Sequence, residues 1–339
     1  MKKNNSIISV FVLFVIFCCT SEDRILSVGE RIEQIVAESD NPAQDGTPTL
    51  EDLAMAGIQN ATGDQAAYER AIALAVPAPT TLTELQEIVN DVNNASRIGD
   101  NDTLEWYDEF DTDGTPSGSK WTYDIGTGQS GWGNNEVQYY TQRPDNVSVA
   151  NGVLTITAKK ENFEGANYTS ARLITQGNYS FTYGKVEVRA KLPASAGTWP
   201  AIWMLGANFN TVGWPACGEI DIMEQKGWDK NTISAALHNL SSSGNTENTK
   251  ETSVAGSTTG FHVYAVDWTE EKIEFSVDGM VFYTYNPTVK TNENWPYTAP
   301  QFLILNLAMG GSLGGDIPAD FTESKMEIDY VRIYRQKKS

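Results

Sequence analysis

Gly218-Glu219-Ile220-Asp221-Ile222-Met223-Glu224 places three carboxylates within six residues that otherwise read as a buried β-strand. Side chains alternate between faces along a strand, so Glu219 and Asp221 point the same way. Glu224 stands five positions after Glu219 and in a regular strand would point to the opposite face. One extra residue in the Ile222-Met223 step, a β-bulge, returns it to the shared side. Three acids then line one surface, while Ile220 and one of the next two apolar residues face a core. Like charges this close repel, so one of the acids is expected to hold its proton near neutral pH. A raised-pKa acid beside an ionised carboxylate suits retaining glycoside hydrolysis, with carboxyls roughly 5–5.5 Å apart. The same segment also reads as a solvated acidic face or a calcium site.

A strand of this kind needs neighbours, and the chain supplies them from Leu104 onward. Val153 to Ala158, Lys185 to Leu192, Ile233 to His238 and Phe261 to Trp268 follow a period of two. So do Ile273 to Val277, Val281 to Tyr285, Phe302 to Leu307 and Met326 to Tyr334. Val277-Asp278-Gly279-Met280 is a hairpin turn, with Asp-Gly supplying positive φ. Many short strands with Gly and Pro turns, and no long helical run among them, predict an all-β antiparallel sandwich.

Further motifs lie in order along the same region. Gly131-Trp132-Gly133-Asn134-Asn135-Glu136-Val137-Gln138-Tyr139-Tyr140-Thr141 precedes Ser170-Ala171-Arg172-Leu173 and Tyr183 to Pro193. Trp199-Pro200-Ala201-Ile202-Trp203-Met204-Leu205-Gly206 and Ile328-Asp329-Tyr330-Val331-Arg332-Ile333-Tyr334 follow. Together with the acidic strand in its bulged form, this set resembles glycoside hydrolase family 16 over about residues 104 to 335. The Trp-Gly-Asn-Asn-Glu and Ser-Ala-Arg-Leu runs are similar to its laminarinase members, and lichenase-type members lack the bulge.

The resemblance implies a β-jelly roll with a concave active-site cleft and a retaining endo-β-1,3-glucanase. Glu219 would be the nucleophile, Glu224 the general acid/base and Asp221 their electrostatic partner. It implies substrate contacts from Trp132, Asn134, Asn135, Arg172, Trp199, Trp203, His238 and Asn306. A structural Ca²⁺ distant from the chemistry would take Glu109, Gly152 and Asp329, the first two through backbone oxygens; catalysis needs no cofactor. Hydrolysis of mixed-linkage glucan, agar or carrageenan remains an alternative, as does a non-catalytic surface glycan binder. Sugar rings stack on aromatic faces, so Trp214, Trp228 and Trp295 are further candidates, whereas Trp106, Trp121 and Trp268 lie in strand patterns and read as core.

The 339 residues carry a net charge of −20, which repels nucleic acid and favours a neutral glucan over a sulfated one. Lys2-Lys3, an apolar run from Ile7 to Phe17 and Cys18-Cys19 make residues 1–18 a targeting segment. Its form resembles a bacterial lipoprotein signal with Cys19 as the lipidated residue, implying an outer-membrane anchor. An ordinary secretory signal is the alternative. Residues 19–98 read as an acidic helical spacer with faces at Leu26, Ile32, Ile35 and Val36 and at Leu82, Leu85, Ile88, Val89 and Val92. Thr81 with Glu84 forms a capping box there. Residues 99–339 form the catalytic domain, expected to act as a monomer. Beyond the signal and the candidate lipid anchor Cys19 only Cys217 remains, and three neighbouring acids make it a buried structural thiol rather than a nucleophile.

Overall fold

The computed structural model describes residues 28–39, 50–58, 68, 72, 79–86, 88–89 and 102–336. Residues 1–18, Cys19, Leu26 and Val92 lie outside the described residues. Among the described residues no helix is long and apolar enough to cross a membrane.

The acidic region is helical where it is described. Helices α1 (Val28–Ser39) and α2 (Leu50–Ala56) bury Ile32, Ile35, Leu53 and Ala56 together with Tyr68, Ile72, Leu85 and Val89. This small apolar cluster is separate from the main core. The Thr81 capping box closes in both directions. Glu84 Oε2 accepts from the backbone N–H of Thr81 at 3.0 Å, and the Glu84 N–H donates to Thr81 Oγ1 at 3.2 Å. The Thr80 N–H also donates to Glu84, at 2.7 Å.

The rest is a sandwich of two sheets. Ten strands build the first: β1 (Asp102–Asp108), β3 (Gln138–Tyr140), β4 (Val147–Ala150), β5 (Val153–Phe163), β6 (Ala166–Ser170), β8 (Gly184–Lys191), β13 (His262–Trp268), β14 (Ile273–Val277), β15 (Met280–Tyr285) and β17 (Glu323–Gln336). Seven build the second, in spatial order β12 (Thr249–Ser253), β11 (Thr232–His238), β10 (Glu219–Gln225), β9 (Thr198–Gly206), β16 (Gln301–Met309), β7 (Arg172–Ile174) and β2 (Thr122–Tyr123). Every described pairing is antiparallel except β3 with β6. The eight runs of period two are all strands, and Asp278 and Gly279 take positive φ (47° and 69°) in the hairpin between β14 and β15.

The core lies between the sheets. Val186, Val188, Ile328 and Val331 from the first meet Ile202, Ile220, Leu303 and Leu305 from the second. Trp121 and Trp268 are fully buried and Trp106 packs edge-on against Trp121, as their strand settings predict. Trp295 also belongs to the core, stacked on Tyr285 at 5.8 Å, and is no sugar platform.

Candidate active site

Strand β10 lies between β11 and β9 in the seven-stranded sheet, and its register shows how the acids are gathered. Glu219, Asp221 and Glu224 pair with His238, Ala236 and Ser234 of β11, so three steps on β10 match two on β11. Against β9 the shift falls between Asp221, opposite Trp203, and Met223, opposite Ile202. The extra residue therefore lies in the Ile222-Met223 step. Both apolar residues of that step enter the core, one more than strict alternation allows, and that is what the bulge achieves. Glu219, Asp221 and Glu224 are left on the outer face.

The two glutamates each take an indole N–H, and Asp221 stands beside an imidazole. Trp214 Nε1 donates to Glu219 Oε2 at 3.1 Å, and Trp199 Nε1 donates to Glu224 Oε1 at 3.0 Å. His238 Nε2 stands 3.0 Å from Asp221 Oδ2 and 3.6 Å from Glu219 Oε1. Asp221 is almost wholly buried, and Trp214 tilts over the His238 ring at 5.9 Å. Burial raises the pKa of all three acids. Glu219 is pushed up to about 8 by burial and by Asp221 and Glu224, with His238 and the Trp214 N–H pulling against them. Asp221 is raised by burial and by Glu224, and Glu224 by burial, which the Trp199 hydrogen bond opposes. Three such groups titrate as one system, and near neutral pH they share protons rather than carry three charges.

A second polar network continues from Trp203. Its Nε1 donates to Asn306 Oδ1 at 2.7 Å, Asn306 Nδ2 to the Tyr140 hydroxyl at 3.1 Å, and that hydroxyl to Glu136 Oε2 at 3.0 Å. Gln138 donates to the same Glu136 oxygen at 2.7 Å. The Arg172 guanidinium lies 4.7 Å from the Trp203 ring and 4.8 Å from the Trp132 ring, with its Nε 2.9 Å from Asp124 Oδ2. A planar cation between two indoles, held at one edge by a carboxylate, is rigid and keeps the other edge for a ligand.

The loop that carries Trp132 departs from regular helix or strand. Ser130, Gly131, Trp132, Gly133 and Asn135 all have positive φ. A Cβ on Gly131 would strike the backbone of Glu136, so glycine is required there. Asn134 and Asn135 are exposed on this loop. Asn134 hydrogen-bonds Glu136, and its carbonyl accepts from Ser312 at 3.3 Å.

The structure thus brings Glu219, Asp221, Glu224, His238, Trp199, Trp203, Arg172, Trp132 and Asn306 together on one face, with Asn134 and Asn135 on the loop beside them. Trp199 is only 8% exposed and acts through its N–H; Trp214 and Trp228, at 45% and 61%, present far more ring surface. Sequence reasoning did not single out Glu136, Tyr140 or Asp124 as site residues. The first two stand inside a motif that was read, and their position there was the available signal. Asp124 had none, because its role exists only once β2 lies beside β7. Cys217 is buried, and its thiol is pushed up to about 11 by burial and by Glu219, as expected of a structural cysteine.

Glu109, Gly152 and Asp329 belong to the other sheet. Residue 109 follows β1, which ends at Asp108 opposite Val331, and residue 152 precedes β5, whose Leu154 lies opposite Ile328. Asp329 occupies the irregular step of β17 between them. The carboxylate of Glu109 is taken by Arg332 at 2.8 and 2.9 Å, and Asp329 Oδ2 by Arg189 at 2.7 Å. These pairs leave Asp329 Oδ1 and the backbone carbonyls of Glu109 and Gly152 as oxygen donors, the ligand type that a hard cation takes.

The family model for glycosyl hydrolases family 16 matches residues 134–332. A beta-glucanase of Rhodothermus marinus is 42% identical over 244 residues, covering 68% of this chain and 85% of that protein. Glucan endo-1,3-beta-glucosidase A1 of Niallia circulans is 36% identical over 267 residues, covering 69% of this chain and 38% of that protein. The crystal structure of a laminarinase from Flavobacterium sp. UMI-01 aligns with a TM-score of 0.65 at 45% identity, covering 69% of this chain and 100% of that one.

Proposed function

The chain belongs to glycosyl hydrolases family 16, and within that family we propose that it is a retaining, endo-acting hydrolase of β-1,3-glucan. The observation that carries this reading is the bulge that sets Glu219 and Glu224 on one face with Asp221 between them. In the reactive form Glu219 is ionised and Glu224 protonated. Glu219 attacks the anomeric carbon while Glu224 gives its proton to the leaving oxygen, and a covalent glycosyl–enzyme forms. Glu224, now ionised, takes a proton from water, which attacks the same carbon and releases Glu219. Two inversions keep the β configuration. Trp214 and Trp199 fix one oxygen of each carboxylate and leave the other for the reaction. Arg172, Trp132 and Trp203 offer a polar edge and ring faces to the sugar chain.

Proton NMR of the first products from laminarin tests the stereochemistry: β-anomers are expected, and α-anomers would overturn the assignment. Incubation with laminarin, lichenan, agarose and κ-carrageenan, followed by product sizing, tests the substrate. Short oligomers from laminarin are expected. Faster release from any other polymer would replace β-1,3-glucan as substrate, and binding without cleavage would leave a glycan-binding protein.

Lys2-Lys3, the apolar run from Ile7 to Phe17 and Cys18-Cys19 support a lipid anchor, which suits an enzyme that acts on a polymer outside the cell. We therefore place the enzyme in the cell envelope, held to the outer membrane through lipid on Cys19 and separated from it by residues 19–98. Cys19→Ser is expected to move the protein to the soluble fraction; retention with membranes would disprove the anchor. We also propose a structural Ca²⁺ held by Asp329 and the carbonyls of Glu109 and Gly152. It would tie β1 and β5 to β17, and Ca²⁺ should raise Tm in the parent but not in Asp329→Ala.

A further inference from the structure

We infer that Glu219, Asp221 and His238 form a binding site for a zinc-type divalent transition-metal ion, and that an ion held there blocks the hydrolytic centre. His238 faces Glu219 directly across the β10–β11 ladder, so imidazole and carboxylate arrive from adjacent strands without any loop to order. One ligand atom from each of the three residues lies within 4.8 Å of the other two. His238 Nε2 is 3.0 Å from Asp221 Oδ2 and 3.6 Å from Glu219 Oε1. Tetrahedral zinc, with bonds of about 2.0–2.1 Å, sets its ligand atoms roughly 3.3 Å apart. The two separations from His238 bracket that value and the third lies within 4.8 Å, so a small shift of the carboxylates seats such an ion.

The hydrogen bonding points the same way. Asp221 is 4% exposed, yet its Oδ2 accepts no hydrogen bond, although an imidazole nitrogen stands beside it. A buried carboxylate oxygen without a hydrogen bond, close to an imidazole nitrogen, is a position that a cation would satisfy. The Trp214 N–H occupies Glu219 Oε2, leaving Oε1 to ligate and holding the carboxylate in orientation, as outer partners of metal ligands do. One imidazole with two carboxylates selects zinc, cobalt or copper over calcium or magnesium, which want six or more oxygens or several retained waters. The other ring nitrogen, His238 Nδ1, is buried without an acceptor, and lack of that support weakens binding about 10- to 100-fold. Micromolar affinity is the expected range. The blockade rests on Glu219 being the nucleophile; the binding does not.

The chain has two histidines, which makes the test clean. The other, His262, is held by Asp278 at 2.8 Å on the ten-stranded sheet. The full chain is titrated with Co²⁺ and followed by visible absorption, then back-titrated with Zn²⁺. One equivalent of Co²⁺ should give an intense four-coordinate band that Zn²⁺ removes. The band should persist in His262→Ala and vanish in His238→Ala, and Asp221→Asn should weaken binding at least tenfold, a control should the histidine variant fold poorly. An unchanged band in His238→Ala and Asp221→Asn, or a weak six-coordinate spectrum in the parent, would overturn the site. Zn²⁺ should also inhibit laminarin hydrolysis competitively over the same concentrations, and uninhibited turnover by the zinc-loaded protein would overturn the blockade. A Co²⁺ band in a protein that hydrolyses no glucan would sink the proposed function and leave the metal site standing.

Discussion

The two sheets treat their carboxylates in opposite ways. On the ten-stranded sheet acids are matched to cations: Glu187 with Lys185, Glu327 with Lys191, Asp329 with Arg189 and Glu109 with Arg332. On the outer face of the seven-stranded sheet, Glu219, Asp221 and Glu224 have no lysine or arginine salt bridge among the described residues; indole N–H groups and one histidine hold them instead. A cation neutralises a carboxylate and keeps it ionised, whereas an indole fixes its position and leaves burial and repulsion to raise its pKa. The first arrangement serves the structure. The second keeps a proton available at neutral pH, which acid–base chemistry requires.

The largest expected break in this contrast is chemical. Glu219→Ala or Glu224→Ala should lower kcat on laminarin by on the order of 10³-fold or more, while Glu327→Ala stays within about twofold. Deleting Met223 leaves Glu224 four positions after Glu219, so a regular strand keeps all three acids on the shared face and the loss should be far smaller than in the glutamate variants; assays on folded protein, verified by circular dichroism, decide this.

Next is the pH profile. Asp221→Asn removes a negative charge that raises Glu219 and interacts with Glu224. Deprotonation of both glutamates becomes easier, so both limbs of the kcat/KM profile should move to lower pH, with a rate loss of about 10- to 100-fold at the optimum. An unmoved profile would make Asp221 merely structural.

Stability gives a smaller effect of defined sign. The folded-state pKa of Glu219 is raised from 4.5 to about 8, so folding is favoured below pH 4.5 and that advantage is lost as pH rises toward 8. Glu219→Gln removes the penalty and should stabilise the protein at pH 7 by at most about 3 kcal/mol. The gain should disappear near pH 4, as thermal melts across pH would show. A gain independent of pH would refute the electrostatic origin.

The smallest effect belongs to the N-terminal cluster. Thr81→Ala opens one half of its capping box and should cost about 1 kcal/mol of local stability, read by hydrogen exchange in residues 82–86. Hydrolysis of soluble laminarin should not change.

Much of this was legible because strands write a short period into the sequence. The eight alternating runs, the Asp278-Gly279 turn and the core placement of Trp121 and Trp268 follow from period, turn chemistry and apolar content. The bulge was legible too, since three acids on one strand share a face only if a residue is added between Asp221 and Glu224. Less legible was anything that depends on partners distant in the chain. Trp295 looked like a cleft aromatic and proved to be core, because its ring stacks on Tyr285 of β15.

The sequence alone determined the β-sandwich class, the acidic strand with its extra residue, and the polar loop motif that carries Trp132 and Glu136. These depend on local alternation and on residue chemistry within a few positions. Only the tertiary structure decided which neutral donors hold each acid, that His238 stands opposite Glu219, and that Arg172 lies between two indoles. Contacts across 25 to 103 residues, such as Trp199 with Glu224 and Trp203 with Asn306, are set by strand order and register in the assembled sheet. No local pattern encodes that order, because each strand carries the same period whichever neighbour it finally pairs with.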